Sequence, residues 1–226
     1  MKKKIVVFAP HPDDETLGCG GTIAKKVAEG YEVLIVILTD GRFLLAHGLG
    51  INSDPSPEQV KEIRKREVLN AVKILGVPEK NVIFLDFVDG TLKENESEVQ
   101  KRVADILEKY SPSEVYFPYE KDYHPDHRAT NHIVKKTIEN LNNKPIMYKY
   151  IILHKFARFG PLIERFLNIF KRNMIYVDVS ESLPLKKAAV KEFKSELTII
   201  SPKQSKPHTK SFDKYLKKKE RFYIDK

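Results

Sequence analysis

The chain has no tryptophan, one cysteine and three methionines among its 226 residues. A single thiol, Cys19, cannot close an internal disulfide, so nothing in the sequence requires an oxidising compartment. No apolar run approaches the roughly 18 residues that span a bilayer. The opening MKKKIVVFAPH has no signal-peptide layout, and a cytoplasmic location is expected. Internal repeats and low-complexity segments are absent too. The 41% hydrophobic content suffices for one sizeable core, so residues 1–226 are read as a single domain. Its core covers about 4–200, and a basic extension covers about 203–226. The net charge of +9 allows an anionic partner, but the basic residues are scattered until the C-terminus. No nucleic-acid-binding motif accompanies them, and no nucleic-acid partner is expected. Abundant Lys and Glu with scarce Gln lean toward a thermophile.

Apolar patterning predicts strands at 4–8, 32–38, 81–85, 114–117, 146–153 and 174–179. Helices are expected at 16–29, 57–75, 97–110, 128–141 and 183–197, with a long polar loop from about 39 to 57. Strand and helix alternate, which predicts an α/β fold with a mostly parallel, doubly wound sheet flanked by helices. Ligands of such sheets bind at the carboxyl ends of the strands.

Two motifs sit directly after predicted strands. Residues 9–15 read APHPDDE and residues 123–128 read YHPDHR. Three successive acids repel one another, and a cation among them explains the cluster most simply. Together the motifs offer imidazole and carboxylate groups of the kind a catalytic zinc uses.

APHPDDETLGCGG with HPDHRA resembles the LmbE-like (PIG-L) family of zinc-dependent N-deacetylases, which act on N-acetylglucosamine conjugates. The resemblance covers most of residues 4–135. Arg64, Glu67, Ala71 and Leu75-Gly76-Val77 match a spaced helix pattern of that family, and Asp89-Gly90 matches its turn. Beyond residue 150 the match thins to Lys186–Ser195 and Glu220-Arg221-Phe222. The resemblance implies a Rossmann-like domain and one Zn2+ held by His11, Asp14 and His127. It also implies Asp13 as general base, His124 as oxyanion stabiliser and Asp126 as the group that orients an imidazole. Arg64 and Asp89 are its candidates for sugar hydroxyls. A protonated His124 is expected to share the negative charge of the tetrahedral intermediate. An amide is a poor electrophile with a poor leaving group, so Lewis acid, base and acid are all needed. An N-acetylated amino sugar is the expected partner. Free disaccharide, glycosyl malate, sugar nucleotide and glycolipid all remain open, and Fe(II), Co or Ni also suit the ligands. A related amidase, a non-catalytic carbohydrate-binding module and a basic nucleic-acid-binding protein are the rivals.

Blander readings compete at several positions. HPDD can be a helix cap. Gly18, Gly20 and Gly21 invite a dinucleotide loop, but the order is not G-x-G-x-x-G, and close helix packing is the better reading. Cys19 reads as a small buried residue. Glu15 is expected to support the loop or the helix start. Arg64 can belong to a solvated basic face. His47, His132, His154 and His208 lack paired spacing and are expected at the surface or satisfied in the core; His132 can also reach toward the site. Residues 155–172 carry Phe and Leu at helical spacing among Lys and Arg. They are read as a core or homo-oligomer helix, or as a segment that lies on a membrane or grips a glycolipid. Phe212, Tyr215, Phe222 and Tyr223 suggest that the basic tail docks on the domain.

Overall fold

Strands β1 (Lys4–Ala9) and β2 (Glu32–Thr39) are nearly all apolar because each feeds two cores. Ile5, Val7, Val33 and Ile35 face one core; Val6, Phe8, Leu34 and Val36 face the other. A strand covered on both faces has no polar side to show. The computed structural model describes residues 2–152 and 173–224.

The remaining strands are β3 (Val82–Phe87), β4 (Glu114–Pro118), β5 (Ile146–Tyr150), β6 (Met174–Asp178) and β7 (Lys219–Ile224). The helices are α1 (Asp14–Ala28), α2 (Leu44–Leu49), α3 (Pro57–Ile74), α4 (Glu96–Tyr110), α5 (Pro125–Glu139), α6 (Leu183–Ala189) and the single turn α7 (Lys194–Leu197). One seven-stranded sheet runs in the order β3-β2-β1-β4-β5-β7-β6. The first five strands are parallel, and β7 is antiparallel to both its neighbours. Residues of α1, α3 and α6 pack on one face, and residues of α4 and α5 on the other. The expected α/β architecture is present.

Strand β1 lies between β2 and β4. The chain winds outward from β1 through β2 to β3, then crosses back to β4 on the opposite side. Such a reversal opens a crevice at the carboxyl ends of the central strands. The loops after β1 and β4 carry the two His motifs, so they form the lips of that crevice.

The structure departs from expectation in three places. Residues 44–49 of the expected loop form α2, which ends at Gly50 in a left-handed conformation. The expected helix 183–197 breaks into α6, a 3-10 turn and α7. The expected basic extension is part of the core: β7 inserts between β5 and β6, and Phe222 is fully buried. Its alternation of charged and aromatic residues hid a strand whose partners are distant in sequence. The Phe-rich segment 155–172 and His154 lie outside the described residues.

Gly18 shows what the G-C-G-G run does. A Cβ there would meet the Tyr150 ring at 2.5 Å, and one on Gly21 would meet Val179 at 2.8 Å. The glycines let α1 approach the strand side closely, as the packing reading requires. Cys19 departs from helical φ/ψ, so a second helical start follows it. The amides of Gly21 and Thr22 at that start donate to the Glu220 carboxylate at 2.9 and 2.7 Å. Thr22 Oγ1 donates to it at 2.6 Å, and the Lys186 ammonium at 2.6 Å. The anion position of this helix start is filled by the chain's own β7.

Candidate metal centre

Three donor atoms converge in the crevice. His11 Nδ1 is 3.2 Å from Asp14 Oδ2, His127 Nε2 is 3.1 Å from the same oxygen, and the two ring nitrogens are 3.3 Å apart. His11 follows β1, Asp14 opens α1, and His127 lies in the first turn of α5. Ligand bonds of about 2.0–2.2 Å in a tetrahedron separate donors by about 3.3–3.6 Å. The triangle fits one face of such a shell at its short end.

The outward nitrogens are committed elsewhere. His11 Nε2 lies 3.1 Å from Asp126 Oδ2 and 3.3 Å from Asp89 Oδ1. His127 Nδ1 lies 3.2 Å from Asp122 Oδ1. Each imidazole therefore turns one nitrogen to the triangle and one to a carboxylate, the arrangement that orients metal-binding histidines. Asp126 is itself fixed by the amides of Gly90, at 2.9 Å, and Leu92, at 3.4 Å. His124 behaves differently. Its Nδ1 accepts the Asp126 amide at 3.2 Å, so its proton sits on Nε2. Its ring stands edge-on to His11 with centroids 4.5 Å apart. His124 also lies within reach of a cluster with His11 and His127, but this tautomer makes it a donor rather than a ligand.

Charge explains the proton affinities. Burial opposes charge on His127, yet Asp14 and Asp122 outweigh it and raise its pKa to about 9. Burial also opposes charge on His11, but its hydrogen bonds to Asp126, Asp14 and Asp89 raise it well above 6.5. Burial works against the Asp14 carboxylate too, and the His127 charge nonetheless keeps it ionised. Asp89 falls to about 2, the His11 contact overcoming burial. Burial, then the His11 and His127 charges, push His124 down to about 4. In the metal-free protein these charges, with the Asp126 amide held at Nδ1, favour a neutral His124 that donates through Nε2–H.

Asp13 occupies the strained point of the loop, with φ of 135°. Its side chain makes no cap bond to α1, which overturns the helix-cap reading of HPDD. Its backbone N–H donates to Glu15 at 3.1 Å, and buried Glu15 supports the loop as expected. Burial, then Glu196 and Asp14, raise the Asp13 pKa well above the carboxylate range. Arg64 is only 4% exposed, so the solvated-face reading fails. Its Nη2 is 3.1 Å from Glu196 Oε1, donates to Pro12 O, and lies 3.6 Å from Asp13 Oδ2. One turn along α3, Glu67 accepts the Ser195 amide at 2.7 Å and its hydroxyl at 2.6 Å. Arg64 and Glu67 thus clamp the 193–197 turn against the Asp13 loop.

A pocket of about 430 Å³ opens over this floor. All eight expected site residues except Asp126 line it; Asp126 reaches it only through His11. Sequence reasoning missed Asp122 and gave Glu196 no part in holding the Asp13 loop. The signal for Asp122 was an acid two residues before His124; that for Glu196 was the Ser195-Glu196 pair where many relatives of the family carry Ser-Gln. His47 and His208, expected at the surface or in the core, line the pocket as well. His132 points away: its side chain is 61% exposed and lies 3.4 Å from Glu96.

Fold and site together define an α/β protein with a buried His/Asp centre able to hold a divalent metal. The chain belongs to the PIG-L family, described as GlcNAc-PI de-N-acetylase, whose model matches residues 6–138. It is 30% identical over 204 residues to a diacetylchitobiose deacetylase of Thermococcus kodakarensis, covering 86% of this chain and 70% of that one. It is 29% identical over 157 residues to a Bacillus cereus protein named as a probable N-acetyl-alpha-D-glucosaminyl L-malate deacetylase 2, covering 67% and 69%. The structure is similar to that of the N,N'-diacetylchitobiose deacetylase of Pyrococcus horikoshii. The TM-score is 0.72 at 25% identity, over 99% of this chain and 84% of that one. Among the described residues, no helix is long and apolar enough to cross a membrane.

Proposed function

We propose that this chain is a zinc-dependent, cytoplasmic hydrolase that removes the acetyl group from an N-acetylglucosamine-type sugar or conjugate. The observation that carries this reading is the donor triangle of His11 Nδ1, Asp14 Oδ2 and His127 Nε2 with the Asp13 carboxyl beside it. Similarity to named deacetylases supports the substrate class.

His11, Asp14 and His127 would hold the metal. Bound there, it would polarise the amide carbonyl and lower the pKa of water toward about 7. Asp13 takes a proton from the attacking water. Its raised proton affinity suits it to keep that proton and deliver it to the leaving nitrogen. The amide C–N bond breaks, and acetate and a free amine leave. His124 donates its Nε2–H to the oxygen that becomes negative. Asp126 and Asp122 fix the two ligating rings, while Arg64 and Glu196 fix the Asp13 loop. Asp89, turned toward His11, joins the orienting carboxylates; Arg64 and Asp89 also line the pocket where sugar hydroxyls would bind.

Elemental analysis of wild type and His127→Ala, purified side by side without chelator, tests the centre. About one zinc per wild-type chain and none in the variant is expected. No metal in either after reconstitution would overturn the centre. Acetate release from N-acetylglucosamine conjugates then tests the reaction.

A further inference from the structure

The pocket has two unlike zones. Its floor gathers the carboxylates of Asp13, Asp14 and Asp89 around the imidazoles. Its opposite wall comes from two segments distant in sequence, α2 and residues 208–215. This wall is built rather than loosely draped. The Thr209 amide donates to Glu196 O at 2.9 Å, and Tyr215 Oη donates to Ile152 O at 3.1 Å. Phe212 is buried, and the His208 ring sits against the Gly48 backbone of α2.

The volume of about 430 Å³ exceeds what an acetamide needs and lies within the roughly 300–1,000 Å³ of small-molecule sites. The surplus takes the part of the substrate beyond the amino sugar. Lys214 stands on that wall, exposed, with its ammonium 4.6 Å from the Tyr215 ring centre. Among the described residues it has no carboxylate partner. Its neighbourhood in the chain is one-signed: Lys203, Lys206, Lys210, Lys217, Lys218 and Lys219 surround it, with Asp213 the sole acid between 203 and 219. An anionic group is attracted at this rim.

We propose that Lys214 is a specificity-determining residue that selects substrates whose group beyond the amino sugar carries a carboxylate or a phosphate. The assignment rests on the deacetylase reading for its substrates, and its test is one of binding.

Zinc-loaded Asp13→Asn protein, which binds substrate without turning it over, is titrated calorimetrically with three ligands. They are N-acetylglucosaminyl malate, N-acetylglucosamine 1-phosphate and neutral N,N'-diacetylchitobiose. At low salt, at least one anionic ligand is expected to bind about fivefold tighter than the disaccharide. The preferred anion separates carboxylate from phosphate recognition. The preference should shrink as salt rises. It should vanish in Asp13→Asn/Lys214→Ala and persist in Asp13→Asn/Lys217→Ala, where the exchanged lysine is outside the pocket. No binding, equal binding of all three, or a preference indifferent to Lys214→Ala overturns the proposal. Acetate release by the wild type is scored separately. Lys214-dependent anion binding without acetate from any ligand sinks the deacetylase reading and leaves the rim assignment standing.

Discussion

Two buried charge clusters flank α1, and they are satisfied in opposite ways. At Lys186–Glu220, one cation meets one anion, and both carboxylate oxygens are filled by Gly21, Thr22 and the ammonium. Lys186 Nζ also donates to Leu17 O at 2.8 Å, at 1% residue exposure. Nothing remains for a ligand. In the crevice, Asp13, Asp14, Asp89, Asp122, Asp126 and Glu196 gather around one guanidinium and the four imidazoles of His11, His124, His127 and His208. Two of those imidazoles are driven to hold protons they would otherwise lose near neutrality. A closed, neutral cluster ties elements together. An open, over-acidic one asks for a cation and takes protons as substitutes.

Substitutions can break this contrast. Asp13→Asn is expected to lower turnover by about 10³-fold or more while zinc per chain stays at the wild-type level, because it removes proton transfer and no ligand. Metal analysis beside acetate release checks it; retained turnover would remove Asp13 as base. Glu220→Ala acts in reverse. It strands the buried Lys186 ammonium and two helix-start amides, and is expected to cost about 3–5 kcal/mol in denaturant unfolding. The folded fraction should still bind zinc, since no ligand touches Glu220.

The pH response sharpens the comparison further. In metal-free protein the raised His127 pKa favours the folded state below about 6.5, the unfolded imidazole value. That contribution is lost as pH rises from there through about 9. Melting temperature of chelator-treated protein should decline across this window, and zinc should flatten the decline because the metal replaces the protons. A metal-free profile as flat as the zinc-loaded one would contradict this assignment. The smallest effect belongs to His132→Ala. It changes an exposed histidine outside both clusters, and stability should stay within about 0.5 kcal/mol of wild type, with zinc content unchanged.

The parallel half of the sheet was legible because its strands are buried on both faces, so their apolar runs stand out without reference to partners. Both His motifs were legible for a related reason: HPDD and HPDHR are each compact, and each directly follows such a strand. Asp122 was readable in principle, two residues before His124. Strand β7 was not, because KERFYI alternates and its pairing with β5 and β6 crosses the sequence. The pocket positions of Glu196, His47 and His208 were hidden likewise. Each residue sits in a short or irregular segment, and each reaches the pocket only through the docking of distant pieces.

The sequence by itself determined the α/β class, the position of the His motifs at strand ends and the kinds of donor atom available. These depend on local periodicity and residue chemistry. Tertiary structure alone decided which nitrogen of each imidazole faces inward, that His124 turns Nδ1 to the Asp126 amide, that Arg64 is a buried clamp, and that the basic tail supplies both a core strand and a pocket wall. Those outcomes depend on which oxygens and amides lie within about 3 Å of a given atom, and folding sets such distances between residues more than a hundred positions apart.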